Sequence, residues 1–160
     1  MLRRHAIATA AFGLGSVWMA RDALAQAQAQ GAVLPPSKSL AQELAAALGA
    51  GKPLVVMVSL HGCPFCKAVR QSYLAPMHRD EGLAVVQVDM QSRQATHDFK
   101  GMATTHDALI RGWGIKLAPT LLFFGRGGNE VAERLAGASV PDFYGAYLDE
   151  RLAAAKQRLG

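Results

Sequence analysis

Three apolar runs and several helical spacings alternate along the chain. Residues 54–60 follow Pro53 as a continuous valine-rich run, Leu54-Val55-Val56-Met57-Val58 and on to Leu60. A short unbroken run of this kind predicts a strand buried on both faces. Residues 83–89 and 121–124 predict two more such strands, and the turn at 125–129 is expected to return the chain as a hairpin strand over 130–135. Between these runs the spacing is helical. Leu40, Leu44, Ala47 and Leu48 share one face of a helix that Ser39 caps and residues 49–51 stop. From Cys63 onward Phe65, Val69 and Tyr73 recur every four residues, as do Cys66 and Arg70, and Pro76 is expected to end or kink that helix. Thr104 or Thr105 caps a short helix through Arg111. Ser139 with Asp142 resembles a capping box for a last helix running to about Leu159. Residues 91–103 show no clear period, with a brief strand or turn expected at Asp98-Phe99-Lys100-Gly101.

This order predicts an α/β fold, a mixed central sheet with helices on both faces. Strands separated by helices are expected to pair in parallel, and the late hairpin to add an antiparallel edge. A length of 160 residues predicts one domain. It is placed at 39–160, after a Gln/Ala-rich flexible leader at 26–38 that ends near Pro35-Pro36.

The first 25 residues read differently. A basic start with Arg3 and Arg4 precedes an uncharged apolar stretch over 7–20, then Ala23-Leu24-Ala25. Basic, apolar and small-residue regions in that order predict a secretory signal peptide cleaved after Ala25. The alternative is an uncleaved anchor, although the apolar stretch is shorter than the roughly 20 residues a spanning helix needs. Export places the mature chain in the periplasm, where disulfides form and persist. Removing the leader lowers the net charge from +5, leaving 14 basic and 11 acidic residues. No Lys/Arg cluster interleaved with aromatics is present, so nucleic acid is not an expected partner.

The chain has two cysteines, Cys63 and Cys66, at the junction of the first strand and the second helix. Two thiols can build neither a multi-bridge framework nor a four-thiolate zinc site. They can exchange disulfides. The attacking species is a thiolate, and the N–H groups at a helix start favour an anion. Cys63 therefore reads as the nucleophile, and Cys66, one turn deeper, as the thiol that resolves the mixed disulfide. A purely structural bridge, and metal binding through His61, Cys63 and Cys66, are the competing readings.

With these residues in view the chain resembles the thioredoxin superfamily, and more closely the exported thioredoxin-like thiol-disulfide oxidoreductases. The resemblance rests on the first strand leading to Cys63-Pro64-Phe65-Cys66-Lys67, and on Trp113-Gly114-Ile115-Lys116-Leu117-Ala118-Pro119-Thr120-Leu121-Leu122-Phe123-Phe124 downstream. Gly128 and Leu135-Ala136-Gly137 extend it. It implies a cis Ala118-Pro119 bond beside the cysteines, with the backbone of Ala118 offered to an extended substrate and Pro119 keeping metal off the thiols. It implies Pro64, Phe65, Ala118 and Pro119 as substrate-binding residues around a redox-active Cys63-Cys66 disulfide, with no cofactor and no resident metal. Thiol or disulfide proteins are then the partners, a membrane protein the source of electrons, and a monomer the expected state.

The departures carry information too. Thioredoxins hold a buried Asp six residues before the first cysteine, where this chain has Met57, so the group that takes the Cys66 proton is not identified; Asp89 and Lys67 are candidates. Gly62 stands where a Trp is expected. Phe65 brings no charge between the cysteines, unlike the His of strong periplasmic oxidants, and this predicts a reducing direction. The segment 91–103 resembles exported thioredoxins linked to sulfur oxidation and cytochrome maturation. A periplasmic metal carrier, with copper as cargo, and a redox-inert binding module on the same scaffold are the alternatives. His78, His97 and His106 are expected at the surface, with His97 and His106 able to tune the site if the 91–103 segment folds over it. Trp113 and the methionines are expected to serve packing.

Overall fold

The computed structural model describes residues 33–138 and 143–159. The expected signal peptide, most of the leader and the Ser139/Asp142 capping box lie outside the described residues. The elements run α1 (Leu40–Gly49), β1 (Leu54–Ser59), α2 (Pro64–Val69), a π-helical turn (Arg70–Leu74), α3 (Ala75–Asp80), β2 (Val85–Asp89), β3 (Ala95–His97), β4 (Ala103–Thr105), α4 (His106–Gly112), β5 (Thr120–Phe124), β6 (Leu135–Ala136) and α5 (Tyr144–Gln157). No helix among the described residues is long and apolar enough to cross a membrane.

Strand β1 is buried at every position, as its unbroken apolar run requires. Its side chains alternate between two cores. Val55 and Met57 join Leu121, Phe123, Cys66, Val69 and Leu148 on one face of the sheet. Val56 and Val58 join Leu122, Phe124, Leu40, Leu44 and Ile110 on the other. The period-two geometry of a strand thus places α2, α3 and α5 on one side and α1 and α4 on the other.

The sheet order is β2-β1-β5-β6. Strand β2 runs parallel to β1, as expected. Strand β5 runs antiparallel to it, with Val58 opposite Thr120. The segment after α4 brings the chain back to the end of β1 from which Cys63 emerges, so β5 must start there and run backwards. This reversal sets Ala118 and Pro119 beside the cysteines.

Two other elements sharpen the expectation and two depart from it. Pro76 does not end its helix: the π turn precedes it, and α3 carries the helical path on to Asp80. A proline ring clashes with the carbonyl four residues back in a regular helix, and a wider turn relieves that crowding. The segment 91–103 contributes a small hairpin, with Ala95 opposite Thr105, closed around Asp98, whose carboxylate accepts from the amides of Lys100 and Met102. The expected strand over 130–135 shrinks to a bridge at Glu130 and the two-residue β6. Glu130 instead holds Arg134, which also donates to the Trp113 carbonyl at 2.8 Å. Finally, the end of the expected leader belongs to the fold. Gln87 donates to the Pro35 carbonyl and Ser37 to the Gln87 carbonyl, both at 2.9 Å, and Leu34 and Ser37 are buried.

Candidate functional site

The strand β1 leaves the sheet through Leu60, His61 and Gly62. Gly62 has φ +73°, a left-handed conformation that a side chain would resist. The turn closes with the Cys63 amide donating to the Leu60 carbonyl at 3.2 Å. Cys63 then caps α2 in extended conformation, with Pro64 in the first turn where its missing N–H costs nothing. The Cys66 amide donates to the Cys63 sulfur at 3.2 Å. Both cysteines are free thiols, Cys63 half-buried and Cys66 buried.

Ala118 and Pro119 form the second wall. Their peptide bond is cis. The Cys63 thiol lies 4.0 Å from the Ala118 carbonyl oxygen as a weak donor. The Pro119 carbonyl accepts from Gly137 at 2.7 Å, and the Thr120 hydroxyl donates to the Leu117 carbonyl at 2.7 Å. These bonds fix the loop from both ends. Phe65, two residues after Cys63, and Leu117, next to Ala118, are 58% and 54% exposed.

The other side of Cys63 opens into a groove of about 920 Å³, lined among others by Ser59, His61, Lys67, Arg70, Gln87 and Asp89. One hydrogen-bonded chain crosses it. Arg70 donates through Nη2 to the Ser59 hydroxyl at 2.9 Å and through Nε to the Gln87 side-chain oxygen at 2.8 Å. Gln87 passes on a bond from Nε2 to Asp89 Oδ1 at 2.8 Å.

Burial first, then the hydrogen bond with Cys63, pushes the Cys66 thiol up to about 11. The Leu60 backbone and the Ser59 hydroxyl pull the other way. Cys66 is therefore a thiol at neutral pH. Of the proton acceptors suggested by the sequence, Asp89 sits in the groove at the far end of the Arg70 and Gln87 bonds, and Lys67 is an exposed lining residue. Neither is among the groups that shift Cys66; Ser59 is. Met57, where an acid was expected by resemblance, is wholly buried in the α2 and α5 core. In the same core Tyr144 packs against Tyr73 with ring centroids 5.2 Å apart and planes tilted by 46°. Burial first, then Tyr73 and Cys66, hold the Tyr144 phenol well above its usual range.

The histidines divide. His61 is exposed at the rim of the groove. His97 is exposed, its Nδ1 3.4 Å from the Lys38 carbonyl, so the small hairpin docks on the segment before α1 and does not cover the cysteines. His106 corrects the expectation of exposure. It is fully buried, its Nδ1 accepts from the Asp89 amide at 3.2 Å, and its Nε2 lies 2.9 Å from the Ser37 carbonyl. A carbonyl cannot donate, so the proton sits on Nε2. Among the described residues no group of three or more His, Cys, Asp or Glu side chains could hold a metal ion.

Ser59, Arg70 and Gln87 were not singled out by the sequence reading. The one signal was the four-residue spacing of Cys66 and Arg70, which puts both on one side of the helix.

A family model for the thioredoxin-like domain matches residues 40–151. The chain belongs to this thioredoxin-like domain family. One solved structure shares the fold. A thioredoxin from Thermus thermophilus is similar at 19% identity with a TM-score of 0.52, covering 80% of this chain and 92% of that one. Poplar thioredoxin h is similar at 21% identity and TM-score 0.46, covering 71% and 95%. The periplasmic thioredoxin SoxS from Paracoccus pantotrophus is similar at 20% identity and TM-score 0.42, covering 65% and 99%. No curated protein matches the sequence. In this thioredoxin-like chain, Cys63 and Cys66 form a close pair at the junction of β1 and α2.

Proposed function

We propose that this chain is an exported thiol-disulfide oxidoreductase that reduces or reshuffles disulfides of partner proteins. The observation that carries the reading is the placement of the half-buried Cys63 sulfur. It lies between the Cys66 amide at 3.2 Å and the Ala118 carbonyl at 4.0 Å, with exposed Phe65 and Leu117 alongside.

Cys63 as thiolate attacks one sulfur of a partner disulfide. A mixed disulfide forms, and the other partner sulfur leaves as a thiolate and takes a proton. Cys66 then loses its proton and attacks the Cys63 sulfur, which releases the second partner thiol and closes the Cys63-Cys66 disulfide. Two electrons pass from the dithiol to the partner. Ala118 and Pro119 bind the partner's extended backbone next to the reacting sulfur, and Pro64 and Phe65 give it apolar contact. The mature chain works in the periplasm as a monomer and without a cofactor, and a membrane dithiol donor restores its thiols. The basic, apolar and small-residue order of the first 25 residues supports export, and the uncharged Phe65 supports the reducing direction.

The test is trapping. A Cys66→Ala variant returned to its native host is expected to hold partner proteins on Cys63 as mixed disulfides that dithiothreitol releases. A variant that traps none, while the native protein also fails to reduce insulin, sinks the proposal. Metal co-purifying with the native protein and lost in Cys63→Ser would favour the carrier reading.

A further inference from the structure

Cys66 poses a chemical difficulty that the exchange reading leaves open. Cys66 is 1% exposed, as is Ser59 at the end of β1. A thiolate formed there loses hydration and needs a donor to replace it. Met57 supplies none. The polar groups within reach come from several elements. The Cys63 sulfur accepts from the Cys66 amide at 3.2 Å, and the Leu60 carbonyl closes the turn before α2. Ser59 lies two residues after Met57 on β1, so its side chain is on the sheet face that packs against Cys66. Tyr144 of α5 shares that core. Arg70 stands behind Ser59, and Asp89 is reached only through Gln87.

Ser59 is distinguished by how it is held. A serine hydroxyl has one hydrogen and two lone pairs. Arg70 occupies the oxygen as an acceptor at 2.9 Å, which leaves the hydrogen to point elsewhere. Arg70 is itself fixed by its second bond, to Gln87 on β2 at 2.8 Å. A cation donating to the hydroxyl oxygen also makes that hydroxyl a stronger donor.

We infer that Ser59, oriented by Arg70, is a positioning residue whose hydroxyl donates to the Cys66 sulfur as that thiol gives up its proton to resolve the mixed disulfide. This rests on the exchange reading above. The balance is that of the resolving step: the Cys66 proton leaves to water, the Cys66–Cys63 bond forms, the Cys63–partner bond breaks, and the partner leaves as a thiolate that takes a proton. The partner disulfide is the oxidant. Ser59 changes no bond. It lowers the cost of a buried charge that exists only during this step.

The experiment uses the fully reduced protein and an aromatic disulfide, dithiobis(nitrobenzoate), in stopped flow. The first release of the coloured thiolate reports attack by Cys63, and the second reports resolution by Cys66. Ser59→Ala is expected to slow the second phase about tenfold at neutral pH, the loss of one hydrogen bond to a charged group. Its pH midpoint is expected to move up by about one pH unit, with the first phase unchanged. Ser59→Thr, which keeps the hydroxyl, restores the native rate. Arg70→Met moves the second phase in the same direction as Ser59→Ala, and serves alone if Ser59→Ala does not fold. A second phase with unchanged rate and midpoint overturns the inference, as does equal slowing of both phases. A native protein that releases only one equivalent, as Cys66→Ala must, overturns the exchange reading itself.

Discussion

The sulfur of Cys63 and the carbonyl oxygen of Ala118 face each other at 4.0 Å across 55 residues of sequence. The antiparallel return of β5 creates this relationship, because it starts that strand opposite the end of β1. On the proposed exchange function, a partner chain lying along Ala118 brings its disulfide towards Cys63. Changing Pro119 shifts the loop that presents Ala118. Pro119→Ala is expected to lower the rate of reduction of a folded protein disulfide by about tenfold to a hundredfold, the scale on which small misplacements act. Attack on a small aromatic disulfide, which needs no backbone contact, should change much less. Equal loss on both substrates would show that Pro119 acts on the thiols and not on binding.

Phe65 and Leu117 make the complementary case. Both are large, apolar and more than half exposed, so their burial does not hold the fold together. Phe65→Ser is expected to leave urea stability within about 0.5 kcal/mol of native. The KM for a protein disulfide should rise several-fold, as expected for loss of an aromatic contact at an interface. A lost stability with an unchanged KM would make Phe65 a packing residue.

His106 was expected at the surface, and its burial has a consequence for stability. It joins the Asp89 amide to the Ser37 carbonyl, tying β2 to the segment before α1. His106→Ala would leave a buried amide and a buried carbonyl unsatisfied and open a void. The expected loss is about 2–4 kcal/mol in urea unfolding. The rate of attack by Cys63 should stay native, since His106 contacts neither cysteine. A loss under about 0.5 kcal/mol would mean that water replaces both bonds.

What could be read from the sequence follows from how locally each feature is determined. The burial of β1 is written in five consecutive apolar residues, and the cap at Cys63 in the proline that follows it. Cys63, Cys66, Ala118 and Pro119 were legible as types in a pattern. The sense of β5 was not, because the 113–119 segment carries no signal for the end of the sheet at which it re-enters. Nor were the partners of His106 or Arg70. A histidine at a helix start looks solvated until Ser37 and Asp89 are brought to it. Arg70 looks like a surface residue on an amphipathic helix until Ser59 and Gln87 arrive from two neighbouring strands. Each of these side chains is placed by contacts distant in sequence, to which local periodicity is blind.

The last prediction concerns the pH dependence of the reduced protein. Burial first, then the bond with Cys63, raises Cys66 from 9.0 to about 11. The folded state therefore holds this proton more tightly than the unfolded chain does. The resulting stabilisation is fully present below about pH 9, and it drains away as pH rises from about 9 towards 11. At about 1.4 kcal/mol for each pH unit, the whole effect is at most about 3 kcal/mol. Tyr144 is raised by burial as well, so it adds a slope of the same sign at higher pH. Urea unfolding of the reduced protein between about pH 7 and 10.5 should show stability falling above pH 9, and Cys66→Ala should flatten part of that fall while keeping the Tyr144 contribution. The comparison lies in the slopes, because Cys66→Ala also changes packing and so shifts stability at every pH. Parallel curves for the two proteins would mean that Cys66 ionises in the folded state as easily as in the unfolded one. Iodoacetamide gives an independent reading: at neutral pH it should modify Cys63 and leave Cys66 as the thiol, with Cys66 reacting only as the pH approaches 11 or the chain unfolds.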